Sequence, residues 1–343
     1  MHSRSTSPCP SRLNPAKQLG AVVGLALATA MSPALAAQDS QNWQLADVQA
    51  FYLHQPPGSF TGIYRSQGMA VNGNEFVFSW QYGLERSDAN FNSLQRNSNL
   101  SITGQLSPGI PMPLLAQGLD HIGDIDVHDG IIYASLDNTH GYKQPHVALF
   151  NAADLSYTGK SYQLAGTAAN PNDDLASWVA VDAARGYGYG KEWRNGNTIN
   201  VYNLNDWSFS HTLQLDSSLS RIQGAKVVGD WLYMASDNAN QTIYRSHLLT
   251  GHVEEVLNIP KPEGDLEIEG IALRQNSNGS LDMYVELIVD PDRSDQSLSN
   301  PNLHVNLYHY QLAAAVPEPQ SYALLLGGLG LLAGLRRKRA TPQ

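Results

Sequence analysis

Oxygen-bearing side chains recur at the start of similar stretches of this sequence. The five starts are Gln67, Gly123, Ser177, Gln223 and Glu269, with Asp124 and Glu267 beside two of them. Carboxylate, amide and hydroxyl oxygens suit Ca2+, which takes about six to eight oxygen ligands. If the fold gathers these stretches around one axis, the side chains at its centre are those of Gln67, Asp124, Ser177, Gln223, Glu267 and Glu269. We expect Glu269, Ser177, Gln67 and Gln223 either to bind Ca2+ or to form a hydrogen-bonded polar plug.

Other catalytic chemistry has little support. The sequence contains no Gly-x-Ser-x-Gly, no His-Glu-x-x-His, no phosphate loop and no Gly-x-Gly-x-x-Gly before a helix. The single cysteine, Cys9, lies near the N-terminus, so thiol catalysis and cysteine-bound zinc are not expected beyond it. Asp290, Asp292 and Asp295 form an acidic loop that either binds a cation or is simply solvated.

The elements that must position these residues are short strands. Apolar residues alternate in brief runs, as in 130–135, 230–236 and 281–287, and Gly, Asn, Asp and Pro separate the runs. Long amphipathic helical periods are missing. The sequence therefore predicts an all-β domain.

The strands form an internal repeat. Units beginning at 67, 123, 177, 223 and 269 each contain an alternating strand, a turn and a second apolar strand. A repeat of about fifty residues predicts the blades of a β-propeller, and five blades fit the length. Trp43 to Leu53 is expected to add the outermost strand of the last blade and so close the ring. A six-bladed ring and a two-layer sandwich are the alternatives.

The two chain ends differ from this domain, predicted at 37–315. Residues 1–36 combine Arg4, Arg12 and Lys17 with a short apolar run and then small residues, a pattern typical of a signal peptide removed by signal peptidase. The other end, 316–343, has Pro317-Glu318-Pro319, an apolar stretch at 322–335 and a basic cluster formed by Arg336, Arg337, Lys338 and Arg339.

This second end resembles the PEP-CTERM sorting signal in the order and spacing of its three parts. The resemblance implies recognition of Pro317, Glu318, Pro319 and the basic cluster by an exosortase, transient membrane anchoring through the apolar helix, and delivery to the surface or matrix of a Gram-negative bacterium. A plain C-terminal membrane anchor is the alternative.

The charge of the predicted domain restricts its partners. The chain has 21 basic and 31 acidic residues; removing three basic residues in 1–36, and four basic and one acidic in 316–343, leaves a net charge of −16. Such a surface repels phosphate backbones and anionic lipids, so nucleic acid is not an expected partner.

A second resemblance concerns the middle of the domain. Ser177 to Trp193, ending in Gly190-Lys191-Glu192-Trp193, is similar to a blade of calcium-dependent apyrases, and 124–130 resembles the preceding blade. The family implies a five-bladed propeller with a calcium ring of Ser and Glu at the strand starts. This chain departs from that ring, with Ser177 where the family has Glu and Gly123 where it has Ser. The Lys191–Glu192 pair is expected to be a solvated turn at the edge of a blade.

Two functions follow as expectations. The first is an exported surface or matrix propeller without catalytic activity, which binds exopolysaccharide or a surface protein. The alternative is a secreted calcium-dependent phosphohydrolase with its site at the central channel, where the metal would polarise a substrate phosphate. A sugar lyase or lactonase on the same scaffold is a third class.

Overall fold

The structure is a computed structural model that describes residues 43–53, 62–101, 103–140, 143–165, 177–292 and 300–312. The predicted signal peptide (1–36), the sorting signal (316–343) and Asp295 lie outside these residues. Its elements in chain order are β1 (Trp43–Tyr52), a 3-10 turn (Gly62–Arg65), β2 (Gly68–Asn72), β3 (Glu75–Trp80), β4 (Gly83–Ser87), β5 (Ser93–Arg96), β6 (Asn99–Leu100), β7 (Leu106–Ser107), α1 (Met112–Leu115), β8 (His121–His128), β9 (Ile131–Asn138), β10 (Lys143–Asn151), β11 (Tyr157–Gln163), β12 (Ala180–Asp182), β13 (Tyr187–Gly190), β14 (Gly196–Asn203), β15 (Phe209–Leu219), β16 (Ile222–Val228), β17 (Trp231–Ser236), β18 (Thr242–His247), β19 (Val253–Asn258), β20 (Asp265–Gln275), β21 (Leu281–Val289) and β22 (His304–Leu312).

These strands form five antiparallel four-stranded blades. Blades 1 to 4 are β2–β5, β8–β11, β12–β15 and β16–β19, and blade 5 is β20, β21, β22 and β1. Tight turns join the strands: Gly73 opens the turn between β2 and β3 at a φ of 62°, a left-handed conformation that costs glycine little. The prediction of a five-bladed propeller is confirmed, and the six-bladed and sandwich alternatives are excluded.

The first strand closes the ring. β1 pairs antiparallel with β22 from Trp43–Leu312 to Tyr52–His304, with one bulge on the way. The last blade therefore joins strands from the two ends of the domain, as predicted for Trp43 to Leu53. This pairing satisfies the backbone groups of β22, which would otherwise form an open sheet edge.

Apolar clusters fill the junctions between blades. Among the described residues, the junction of blades 5 and 1 has two clusters and each of the other four junctions has one; Trp178 and Trp207, for example, are at most 1 % exposed. The junction of blades 5 and 1 is aromatic, with Phe76 against Tyr284 at 4.9 Å. Arg65 stacks 4.3 Å from the Phe51 ring at the same junction. Packing between neighbouring blades thus fixes the positions of their inner strands.

The inner strands β2, β8, β12, β16 and β20 all begin at the same face of the ring. We call this face the mouth, and the opposite face, where each inner strand turns into the second strand, the tail face. No helix in the described part of the chain is long and apolar enough to cross a membrane.

Candidate functional site

One carboxylate stands at the centre of the ring. Asp124 Oδ1 accepts a hydrogen bond from the Met69 N–H at 3.1 Å, and Oδ2 accepts from the Ala225 N–H at 3.0 Å and from Lys226 Nζ at 2.6 Å. The Asp124 N–H donates to the Ser177 carbonyl at 3.0 Å. This single residue therefore joins the inner strands of blades 1, 2 and 4 to the entrance of blade 3, and it fills the axis.

Glycines on the other inner strands make room for this carboxylate. A Cβ at Gly68 would lie 2.4 Å from Asp124 Cα, and one at Gly224 would lie 3.0 Å from Asp124 Oδ2. A Cβ at Gly270 would lie 2.5 Å from both Gly68 Cα and Glu286 Oε2. Because any side chain at Gly68 or Gly270 would collide with backbone, the axis is closed at this level by direct strand contact.

Backbone bulges aim several predicted residues at the axis. The pairing registers of β8, β16 and β20 shift at Gly123–Asp124, at Gln223 and at Glu269–Gly270. A bulge inserts an extra residue and redirects its side chain. Three of the candidate axial residues, Asp124, Gln223 and Glu269, thus owe their placement to irregularities in the inner strands.

A histidine network lies above this level, at the mouth. His121 Nδ1 is 2.8 Å from Asp137 Oδ1, and His121 Nε2 is 2.7 Å from Gln67 Oε1. Gln67 Nε2 donates to the Ser66 carbonyl at 2.9 Å, which directs its oxygen at the histidine. Asp137 and Gln67 thus hold the His121 imidazole between them. Gln67 therefore joins blade 1 to blade 2 at the mouth.

The opposite side of the mouth is similarly paired. Gln223 donates to Glu267, and Arg221 forms an ion pair with Asp237. Gln241 Nε2 also donates to Asp237 Oδ1 at 3.1 Å. The polar side chains at the rim of the mouth thus bind one another.

Burial holds protons on the axial carboxyl groups. It raises the pKa of Asp124 to about 7, although Lys226 and the Ala225 N–H oppose the rise. Burial, followed by the charges of Glu267 and Glu286, raises the pKa of Glu269 well above its usual range. Around neutral pH Glu269 therefore favours its neutral form, whereas Asp124 has Lys226 as its counter-ion.

Glu286 is the most unusual member of the cluster. It lies on the second strand of blade 5, is fully buried, and neither carboxylate oxygen has a hydrogen-bond partner within the described part of the chain. Burial, and after it the charge of Asp124, raises the pKa of Glu286 well above its usual range. Arg65, Lys226 and the Gly270 amide oppose this rise, although the Gly270 amide does not reach hydrogen-bond geometry with the carboxyl group. A neutral carboxyl group is therefore expected at this position.

The candidate calcium ligands are spread over different pairs. Gln67 binds His121, Gln223 binds Glu267, and Ser177 is buried beside Asp124 with its carbonyl bound to the Asp124 amide. Across the described ranges, no three His, Cys, Asp or Glu side chains converge as metal ligands would. Calcium at Glu269, Ser177, Gln67 and Gln223 stays a prediction. In the acidic loop, Asp290 is buried and accepts from Asn300 Nδ2 at 3.0 Å.

A cavity of about 610 Å3 opens beside these pairs at the mouth. Its walls are mainly apolar and include Leu53, Ile63, Trp80, Leu266, Ile288 and Leu303. Its polar margin consists of Ser66, Gln67, Gln81 and Glu267. The walls come from blades 1 and 5, from the segment that connects them, and from β6 and β7 after blade 1, so the meeting of the first and last blades creates the cavity.

The expectation that Lys191 and Glu192 are solvated is wrong. They do lie in the connection between β13 and β14, but both are buried, at 1 % and 6 % exposure. Lys191 Nζ donates to the carbonyls of Glu192 and Arg194 at 3.1 and 2.9 Å. Burial lowers the Lys191 pKa to about 8, against the opposing charge of Glu192. The chain turns back over this pair, and Gly196 lies close to the side chains of both Lys191 and Glu192.

Sequence reasoning missed two axial residues and the cavity. Lys226 and Glu286 are charged residues inside the mainly apolar strands β16 and β21, and that interruption was the available signal. The cavity left no local signal, since its walls lie far apart in the chain.

Comparison with known proteins identifies the C-terminal signal. Residues 315–339 match the PEP-CTERM protein-sorting motif. The predicted sorting signal is confirmed: the motif marks an exported protein that passes through a membrane-anchored intermediate and is processed by an exosortase. No curated protein matches the sequence.

Several solved structures resemble the propeller at low identity. Hydrazine synthase from Kuenenia stuttgartiensis is 10 % identical with a TM-score of 0.38, over 74 % of this chain and 65 % of that one. AztD from Citrobacter koseri is 13 % identical with a TM-score of 0.33, over 58 % and 49 %. The tail fiber of Staphylococcus aureus phage P68 is 15 % identical with a TM-score of 0.42, over 77 % and 53 %. The chain spans less than two thirds of the length of each of these proteins.

Proposed function

We propose that this exported propeller is a binding protein of the cell surface or extracellular matrix, and that its ligand occupies the mouth cavity. The cavity volume of about 610 Å3 lies within the range of about 300–1,000 Å3 found for small-molecule sites. The observation that carries the proposal is a contrast at the mouth. The cavity walls are apolar and open, whereas the neighbouring polar groups are engaged with one another, as in His121–Asp137 and Gln223–Glu267. Such a site suits binding better than catalysis.

The walls favour a compact apolar group. Trp80 donates its Nε1–H to Ser98 Oγ at 2.7 Å, and its ring packs edge-to-face with Tyr64 and Tyr82 at 5.1 and 5.3 Å. This packing uses much of the aromatic surface that a sugar ring would need for stacking. An apolar substituent on an exopolysaccharide, or an apolar side chain of a surface protein, would supply a suitable group.

The cavity margin favours an uncharged ligand over an anion. Glu267 lies there, and burial followed by the charge of Asp237 raises its pKa. An anionic ligand would find no cationic partner in the cavity, because none of the described residues that line it is basic. We therefore expect neutral apolar molecules to bind more tightly than anionic ones of similar shape.

Fluorescent probes test this proposal on the segment 37–315. The neutral dye N-phenyl-1-naphthylamine should bind at one saturable site, and the anionic dye 8-anilino-1-naphthalenesulfonate should bind more weakly. Leu266→Glu places a charge in the cavity wall and should weaken binding of the neutral dye at least about tenfold, which corresponds to about 1.4 kcal/mol.

A matched control uses another leucine. Leu249 is 73 % exposed in a turn at the tail face, so Leu249→Glu should leave binding of the neutral dye unchanged. Equal binding by both variants would place the dye site elsewhere and refute the proposal. Binding of exopolysaccharide fragments without competition from the dye would indicate a different binding surface.

A calcium-dependent phosphohydrolase is the second candidate. It is favoured by the buried carboxyl groups near the axis, because the charges of Glu267, Glu286, Asp237 and Asp124 all add to the burial that raises the pKa of Glu269. Phosphate release from nucleoside di- and triphosphates, measured with calcium and with a chelator, separates the two candidates. Calcium-dependent turnover that Glu269→Gln abolishes would replace the binding proposal.

A further inference from the structure

Both ends of the described domain lie at the tail face. Leu312, the last residue of β22, is paired with Trp43 on one side and with Leu281 on the other. At the opposite end of the same strands, His304 is paired with Tyr52 and Val289, close to the mouth. The chain therefore leaves the propeller on the face away from the cavity.

The sorting motif follows this exit almost at once. The match begins at residue 315, three positions after Leu312, and Pro317 is five positions after it. Five residues span at most about 17 Å when fully extended. By comparison, the nine residues of β22 extend over about 27 Å from the mouth to the tail face. Pro317 consequently cannot reach the mouth. The apolar stretch begins at Tyr322, ten positions after Leu312, and a flexible segment of ten residues spans about 18 Å on average, which is also less than the length of β22.

We propose that the tail face is the surface presented to the bilayer and to the membrane-embedded exosortase, so that the mouth points away from the membrane while the chain is still anchored. The proposal rests on strand topology and the position of the motif, and it is independent of what the cavity binds. It implies that the cavity is open to ligands before the chain is processed.

The chemistry of the tail face fits a surface that approaches the bilayer without entering it. Its turns carry exposed carboxylates at Asp129, Asp154, Asp206 and Asp230. Hydrogen bonds from Ser156 and Ser208 lower the pKa of Asp154 and of Asp206, so both stay ionised in a mildly acidic environment. These charges repel anionic headgroups. The short tether, and not insertion of the blades, would therefore hold this face towards the membrane.

Energy transfer from single labelled cysteines tests the orientation on the full chain. Cys9→Ser gives a background without cysteine. In this background Ser277→Cys places a donor dye in a turn at the tail face, and Ala239→Cys places it at the mouth; both positions are exposed. The labelled chains are reconstituted into vesicles that contain lipids with an acceptor on the headgroup. We expect at least about twofold more efficient transfer from position 277 than from position 239.

A longer tether provides the control. About twenty Gly/Ser residues inserted after Leu312 add a mean reach of about 25 Å, which should let the propeller turn over and bring the two transfer efficiencies together. Equal or reversed efficiencies without the insertion would overturn the proposal. A difference that survives the insertion would also overturn it, because contacts with the bilayer would then set the orientation. A full chain that does not float with the vesicles would also overturn the proposal.

Discussion

The Asp124–Lys226 pair provides the sharpest test of how the ring is held closed. Asp124→Ala removes the acceptor of three hydrogen bonds at once, from Met69, Ala225 and Lys226. Lys226 would keep only its 3.0 Å bond to the Ala225 carbonyl. Because both partners are buried, the variant leaves an uncompensated charge inside the protein. Breaking a buried pair in this way costs about 3–5 kcal/mol.

The expected loss is a large fraction of the stability of the domain. Folded domains are stable by about 5–15 kcal/mol, and each kcal/mol lowers the melting temperature of a domain this large by about 2–4 °C. We therefore predict a melting temperature lower by about 6–20 °C. Urea unfolding followed by tryptophan fluorescence gives the free energy of unfolding. It should be measured at pH 8, where Asp124 is ionised because its pKa is about 7.

Two further variants test whether the loss of stability comes from breaking the Asp124–Lys226 pair. In Asp124→Ala/Lys226→Met the stranded charge is gone, so the double variant should lose about 1–3 kcal/mol less than the sum of the two single losses. Asp216→Ala removes the carboxylate of an exposed pair with His252 and should cost far less stability than Asp124→Ala. Additive losses, or a loss from Asp124→Ala as small as that from Asp216→Ala, would refute the role of Asp124 as the central tie.

Three other outcomes are expected. Deleting residues 43–52 exposes the edge of β22 and should cause aggregation, measured by light scattering; a soluble monomer would contradict ring closure by β1. Asp124 ionises more readily in the unfolded than in the folded protein, so the free energy of unfolding should fall by about 4 kcal/mol as the pH rises from about 4 to 7. Glu286→Gln should make this total fall smaller. An unchanged dependence of the free energy of unfolding on pH would show that Glu286 does not titrate in this range. Lys191 releases its proton near pH 8 only when folded, so stability should rise between pH 8 and pH 10, and Lys191→Met should abolish this rise.

Local patterns were enough to predict the blades. Alternating apolar residues and closely spaced turn residues specify antiparallel strands through interactions between near neighbours in the chain. The repeat then favoured five blades over six, and the segment from Trp43 to Leu53 follows as the closing strand because closure hides the sheet edges. This reasoning held because each step depends on local residue patterns or on counting.

The centre of the ring could be predicted only in part. The residues at the strand starts were identified, but the bulges that turn Gln223 and Glu269 towards the axis depend on pairing with the second strands. Lys226 was overlooked because its partner, Asp124, lies about a hundred positions earlier in the chain. The Lys191–Glu192 pair was predicted to be solvated because charged residues usually are. Tertiary packing decides such positions.

Hydrogen–deuterium exchange of the segment 37–315, with and without saturating N-phenyl-1-naphthylamine, tests most directly whether ligands bind in the mouth cavity. If the mouth cavity is the binding site, the dye should slow exchange in 62–67, 80–82 and 265–268, and leave the tail-face turns at 128–130 and 203–207 unchanged. Protection confined to the tail face or to the outer strands, or none at all under saturating dye, would contradict it.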